Sequence, residues 1–254
     1  MGRRKSKAST SNKRTAGRSH AAHKEYVHRP RRDKGLIRLQ PRDLAALRWV
    51  GEQYAVRLDI LQRLLGRGAQ QATAVAGQVG DSSARRVVRR WQQARLVQAR
   101  KFFFASPEWV WLTRHGLRQL HLPYRFWAPT VGALPHLHQI NAVRLLLEQQ
   151  AELSLAWQSE RRLRQVHLQP AGLHLPDGEA HLANGEVVAV EVERTPKSRR
   201  RLAQILDRLG ARYSGVWFFV TPQSRRAVAA AIGAQHARFH LYPLAQVPLA
   251  EGEP

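Results

Sequence analysis

Asp177, Glu191 and Glu193 are the acidic residues of this chain whose spacing could do chemistry. They fall in the stretch 175–197, LPDGEAHLANGEVVAVEVERTPK. On a strand, Glu191 and Glu193 alternate with Val190 and Val192 and share one face. Asn184-Gly185 is a hairpin-turn dipeptide. It returns the chain so that Asp177, at the start of the preceding strand, meets both glutamates at one edge of a sheet. Three carboxylates so placed can hold a divalent metal against a phosphodiester, where it generates a nucleophile from water and neutralises added negative charge. The same pattern also describes a solvated strand face. His174 and His181 lie close enough to serve as extra ligands or general acids, but with 12 His in the chain such neighbours also arise by coincidence.

The elements that must position these residues read as mixed α/β. A helix is expected over 136–150, a strand over 153–157, and the basic run 161–164 beyond it. The hairpin follows, over 173–183 and 186–194. A helix over 198–209 buries Leu202, Ile205, Leu206 and Leu209. The wholly apolar run 216–220 is typical of a strand in a covered sheet. A helix over 223–234 and a strand over 238–242 complete the domain, placed at 136–243, with a short tail at 244–254.

Composition points to the partner. The 254 residues hold 42 Lys and Arg against 18 Asp and Glu, a net charge of +24. Charge of this size concerns partners rather than fold, and nucleic acid is the expected polyanion. With no Cys, disulfides, Cys-based zinc sites and thiol nucleophiles are excluded. No apolar run is long enough to span a bilayer, so no membrane partner is expected and a cytoplasmic, nucleoid-associated location is. Residues 1–36 are basic, with Glu25 and Asp33 as their only acids. They read as a disordered arm that tracks phosphates.

Residues 37–120 read as a winged helix-turn-helix. Pro41 starts a first helix, 58–65 is a second, and the Gly- and Ala-rich 66–81 is a long loop. Ser82 or Ser83 then caps a third helix over 83–95. Ala84, Val87, Val88 and Trp91 form its apolar stripe, opposite Arg85, Arg86, Arg89, Arg90, Gln92 and Gln93. Arg and Gln are the side chains that bind guanine and adenine edges and phosphates; a solvated basic face is the alternative. A strand over 96–104, carrying Arg100 and Lys101, a turn at 106–108 and a strand over 109–113 complete the wing. Its Phe and Trp residues are expected in the core of the wing rather than as a base-stacking platform. The Pro-containing 121–135 reads as an interdomain linker.

The order helix, strand, Pro-Asp hairpin, Glu-x-Glu strand, helix, apolar strand resembles the PD-(D/E)-x-K nuclease fold. With the winged helix upstream, the chain resembles the replication–relaxation family of plasmids and mobile elements. The residues that carry this are 39–44, 111–116, His138, Pro176-Asp177 and 191–195. The resemblance implies an α/β fold with an α+β winged-helix N-terminal domain and a restriction-endonuclease-like mixed sheet flanked by helices. It also implies Asp177 and Glu191 as Mg²⁺ ligands and Glu193 at the position usually held by Lys, a departure that leaves metal binding with poor turnover. Lys197 starts the next helix within reach of that position.

The leading expectation is a duplex-DNA-binding protein acting in replication, mobilisation or transcription of a mobile element. Its contacts come from Arg85, Arg86, Arg89, Arg90, Gln93, Arg100 and Lys101, and from Lys197, Arg199, Arg200 and Arg201. Duplex binding is consistent with a homodimer, although no coiled-coil heptad supports one. The alternatives are a Mg²⁺-dependent endonuclease using Asp177, Glu191 and Glu193, and a structural RNA-binding protein. His136 and His138 form a His-apolar-His pair, but helical spacing turns them about 200° apart, which disfavours a relaxase-type metal site. No phosphate-cradling Gly loop and no Ser-His-acid arrangement is present.

Overall fold

The structure, a computed structural model, describes residues 38–67, 77–150, 155–166, 174–233 and 237–244. The basic arm expected over 1–36, most of the loop expected over 66–81 and nearly all of the C-terminal tail lie outside them. The described residues, all beyond Leu36, belong to one compact unit. Among them, no helix is long and apolar enough to cross a membrane.

The first half is helical around a three-stranded antiparallel sheet. It runs α1 (Pro41–Glu52), β1 (Ala55–Arg57), α2 (Leu58–Gly66), α3 (Asp81–Gln93), β2 (Val97–Arg100), β3 (Trp109–Leu112) and α4 (Arg114–Gln119), with strand order β1-β3-β2. Pro41 opens α1, as its fixed φ allows, and the Gln40 amide donates to Asp43 Oδ2 at 2.8 Å. α3 starts at Asp81 with Gly80 at its cap, two residues earlier than expected. β1 was not anticipated. Its three residues pair Ala55 with Trp111 and Arg57 with Trp109. β2 ends at Arg100 rather than running to 104, because its partner β3 begins at Trp109, directly opposite Arg100.

The second half begins with a 3₁₀ turn (Val131–Ala133) leading into α5 (Leu134–Gln149), inside the stretch read as linker. It continues β4 (Ala156–Ser159), α6 (Glu160–Val166), β5 (Gly178–His181), β6 (Val187–Glu193), α7 (Arg199–Arg212), β7 (Gly215–Val220), α8 (Pro222–Ile232) and β8 (Phe239–Pro243). The five strands lie in chain order, antiparallel from β4 to β6 and parallel from β6 to β8. The parallel pairs are possible because α7 and α8 carry the chain back between them. At the hairpin, Gly185 takes φ +85, a conformation that favours glycine, and Asn184 Oδ1 accepts from the Glu186 amide at 3.0 Å.

One helix binds the halves together. α5 is buried on nearly every side, as befits a helix lodged between two sheets. Val143, Leu145 and Leu147 share a core with Leu47, Leu61 and Trp91 from the first half and Val188, Val190 and Val192 from the second. Asn141 donates to the Ala55 carbonyl at 2.9 Å, and Arg144 reaches Glu52 at 2.8 Å and Glu148 at 2.6 Å. From α6, buried Arg161 donates to the carbonyls of Gly51 (2.6 Å) and Arg125.

Candidate functional site

Val188, Val190 and Val192 of β6 enter the core around α5, whereas Val187 and Ala189 pack under α7. Glu191 and Glu193 alternate with Val190 and Val192 and therefore lie on the Ala189 face, as the sequence spacing requires. Both are buried, each 3 % exposed. Asp177 stands one residue before β5. Its seat is fixed by Gly178, where an added Cβ would lie 2.0 Å from the Trp157 ring. Asp177 Oδ2 accepts from the Val192 amide at 2.7 Å, which ties it to the strand that carries the glutamates.

Each carboxylate has its own cationic or imidazole neighbour. His136 Nε2, in the first turn of α5, lies 3.1 Å from Asp177 Oδ1. His174 Nε2 lies 2.9 Å from Glu191 Oε1. Lys197 Nζ pairs with Glu193. The electrostatics follow from burial and crowding. Burial, with the Asp177 charge behind it, pushes the Glu191 carboxyl up to about 7, against the opposing pull of His174 and Lys197. Burial also lowers the proton affinity of His136, but the Asp177 carboxylate and the Glu191 charge outweigh it and hold this imidazole above its usual 6.5.

Sequence reasoning missed part of this arrangement. The sequence sets His136 aside with His138 as a disfavoured metal pair, and leaves His174 open between an extra ligand or general acid and a chance neighbour. Glu179 was not singled out. It is buried, accepts from the Tyr213 hydroxyl at 2.6 Å and lies 3.1 Å from His181 Nε2. Its register opposite Ala189 places it on the face of Glu191, a relation legible from the hairpin alone. Burial and the Glu179 carboxylate raise the Tyr213 phenol, which stays protonated. His138 points elsewhere, buried against the Trp109 ring and 3.8 Å from Asp59.

Hard carboxylate oxygens suit Mg²⁺, which needs only one or two protein carboxylates and keeps several waters. A buried acid with raised proton affinity beside a second acid is the electrostatic signature of a place that favours a cation. Asp177 and Glu191 are the residues that would hold such an ion. Among the described residues, no three His, Asp or Glu side chains converge as a ready-made cage.

The basic residues divide into braces and free side chains. On α3, Ala84, Val87, Val88 and Trp91 are buried, and Arg86, Arg89, Gln92 and Gln93 are exposed. Arg85 is engaged by Asp81 (2.6 Å) and Glu108 (2.8 Å), and Arg90 by the fully buried Asp43 (2.6 Å). Arg100 and Lys101 are exposed beyond β2, with the Arg100 guanidinium 5.2 Å from the Phe102 ring centre. Trp109 and Trp111 are in the core as expected, but Phe103 and Phe104 are exposed, Phe104 fully. On α7, Arg199, Arg200 and Arg201 are exposed in the first turn, which holds no acid. Positive side chains at the positive end of a helix dipole are locally unfavourable. Comparison with protein-family models, with curated proteins and with solved structures gives no match to this chain.

Proposed function

We propose that the chain is a DNA-binding protein of a plasmid or mobile element, related to the replication–relaxation family, that holds duplex DNA through α3 and its neighbouring basic surfaces. The observation that carries this is the outer face of α3. Arg86 and Arg89 have no ion-pair partner among the described residues, while the neighbouring Arg85 and Arg90 are fastened to carboxylates. Such a face presents uncompensated, bidentate donors on a braced helix, as a phosphate or base edge requires. The order helix, strand, helix, helix, strand, strand with β1-β3-β2 pairing supports a winged-helix reading of this half. The exposed Arg199, Arg200 and Arg201 extend the basic surface.

Duplex titrations across salt test this directly. Neutralising six or so phosphates predicts a log–log slope of about −5 or steeper. Arg89→Ala should weaken binding by about 1–3 kcal/mol if the contact is to a base. A shallow slope, or an unchanged Arg89→Ala affinity on every sequence, refutes the assignment. Stronger binding to structured RNA than to duplex DNA points to an RNA partner instead.

A second reading, Mg²⁺-dependent phosphodiester cleavage, is favoured by the raised Glu191 carboxyl beside Asp177. Asp177 and Glu191 would hold the ion, which would supply Lewis acidity and a more acidic bound water. Lys197, paired with Glu193 from a position four residues on, would bring positive charge where the resemblance lacks its Lys. Nicking of supercoiled plasmid with Mg²⁺ or Mn²⁺ that disappears in Asp177→Ala is the expected result. No nicking by the wild type, or equal nicking by the variant, removes this reading.

A further inference from the structure

A cleft opens beside the carboxylates. It has a cavity volume of about 350 Å³ and is lined by Gln53, Tyr54, Trp127, His136, Glu160 and Asp177, among others. This lies within the ~300–1,000 Å³ of ordinary ligand sites. A second cleft, of about 420 Å³, shares Tyr54, Trp127 and Arg164 with the first and adds Arg125 and Arg161. The two aromatic rings, 5.2 Å apart between centres and tilted by 58°, are therefore common to a basic cleft and one that reaches Asp177.

Three features of the walls point to a ligand. Tyr54 is a bulky residue at φ +67, a conformation that persists only where its surroundings impose it. Here the Arg161 guanidinium sits 4.7 Å from its ring centre, itself anchored on two carbonyls. Gln53 is 2 % exposed, and its Nε2 finds no acceptor among the described residues. A buried amide without a partner is costly, and the edge of a base would offer it one. Arg125 is exposed at the mouth, where it can meet a phosphate, whereas Arg164 beside it is paired with Glu160 at 2.5 Å.

We propose that this aromatic cleft takes the base of an unpaired nucleotide, so that a single strand rather than a closed duplex passes before Asp177. Trp127 supplies the stacking face, which accepts any base, and Tyr54, tilted against it and covered on one side by Arg161, forms the adjoining wall. Arg125 follows the backbone. A base in a closed duplex is stacked and must leave its helix to enter a pocket of this kind. The inference rests on the reading that the chain binds DNA.

The test uses the full chain and fluorescence anisotropy on two probes. One is a labelled oligothymidylate of about 12 nucleotides, within the ~4–16 that single-strand sites cover; the other is a blunt duplex. Trp127→Ala should weaken single-strand binding roughly 5- to 150-fold, the loss of one stacked base. It should leave duplex affinity within about twofold, and Trp127→Phe should restore most of the loss. An equal loss on both probes, or none on the single strand, overturns the assignment. A measurement on the unaltered chain stands beside the variants: photocross-linking to an iododeoxyuridine oligonucleotide should mark the peptides that contain Tyr54 or Trp127. Adducts confined to α3 or α7 overturn the proposal. If duplex is bound and single strand is not, the cleft assignment alone falls; if neither is bound, the DNA-binding reading falls with it.

Discussion

Replacing Glu191 by Gln should make the protein more stable at alkaline pH, an inversion of what loss of a buried acid usually does. Burial first, and the facing Asp177 charge next, push the Glu191 carboxyl up from an ordinary 4.5 to about 7. A folded-state value above the unfolded one means that the folded chain holds the proton more tightly. The associated stability is complete below pH 4.5 and is lost as pH rises through 7. The full shift corresponds to about 3 kcal/mol, of which about 2–3 kcal/mol falls between pH 5 and pH 8.5. The wild-type profile alone will not display it. Burial lowers His138 from 6.5 to about 4 against the pull of Asp59, which adds stability as pH rises through the overlapping range. The quantity to measure is therefore the difference between Glu191→Gln and wild type in urea unfolding with EDTA present, at pH 5 and pH 8.5. His174 can still donate to the Gln carbonyl, so the variant removes the charge and keeps the hydrogen bond. The advantage of the variant should grow by about 2–3 kcal/mol toward alkaline pH, or several degrees in Tm for a chain of this size. Added Mg²⁺ should then raise the wild-type Tm at pH 8.5 and leave the variant unmoved. A difference that stays flat between the two pH values refutes the account of the carboxylate pair.

Close contacts and ion pairs elsewhere in the fold can be tested one by one. Gly178→Ala drives a methyl group to 2.0 Å from the Trp157 ring; it should cost about 1–3 kcal/mol in urea unfolding, with Trp157→Ala in the same chain restoring part of it. Gly116→Ala meets the Leu96 carbonyl at 2.1 Å, and backbone does not yield, so a loss of about 3 kcal/mol or more in chemical denaturation is expected. Arg90→Ala strips the buried Asp43 of its 2.6 Å partner and should lower stability by about 1–2 kcal/mol, discounted because the Arg90 side chain is a third exposed. Arg89→Ala should leave the melting temperature alone and act on DNA affinity instead.

Much of the second half was legible because its patterns are local. The stripe Leu202, Ile205, Leu206 and Leu209 has helical period and is buried as such. The Asn184-Gly185 turn fixes the hairpin register, and with it the shared face of Glu191 and Glu193. What could not be read depends on partners distant in sequence. β1 is three residues long and exists through pairing with β3. Phe102, Phe103 and Phe104 have strand propensity, but among the described residues no strand lies opposite them. His136 reaches Asp177 across 41 positions, a proximity set by how α5 crosses the sheet rather than by any motif. Arg85 and Arg90 look like Arg86 and Arg89 in the sequence, and only the carboxylates that face them separate brace from free side chain.

The burial of α5 between the sheets, with Arg161 of α6 fastened to the end of α1, has a consequence for distance. α3 and the carboxylates around Asp177 are carried on one compact unit, not on two beads joined by a tether. If α3 grips DNA, whatever Asp177 meets along the same molecule is set by the length of the protein frame. The chain would then act as a ruler: footprints and any nicks should fall at a constant number of base pairs from the gripped sequence, insensitive to what lies between. Loosening α5 by a cavity, as in Val143→Ala, should spread that spacing before it abolishes binding.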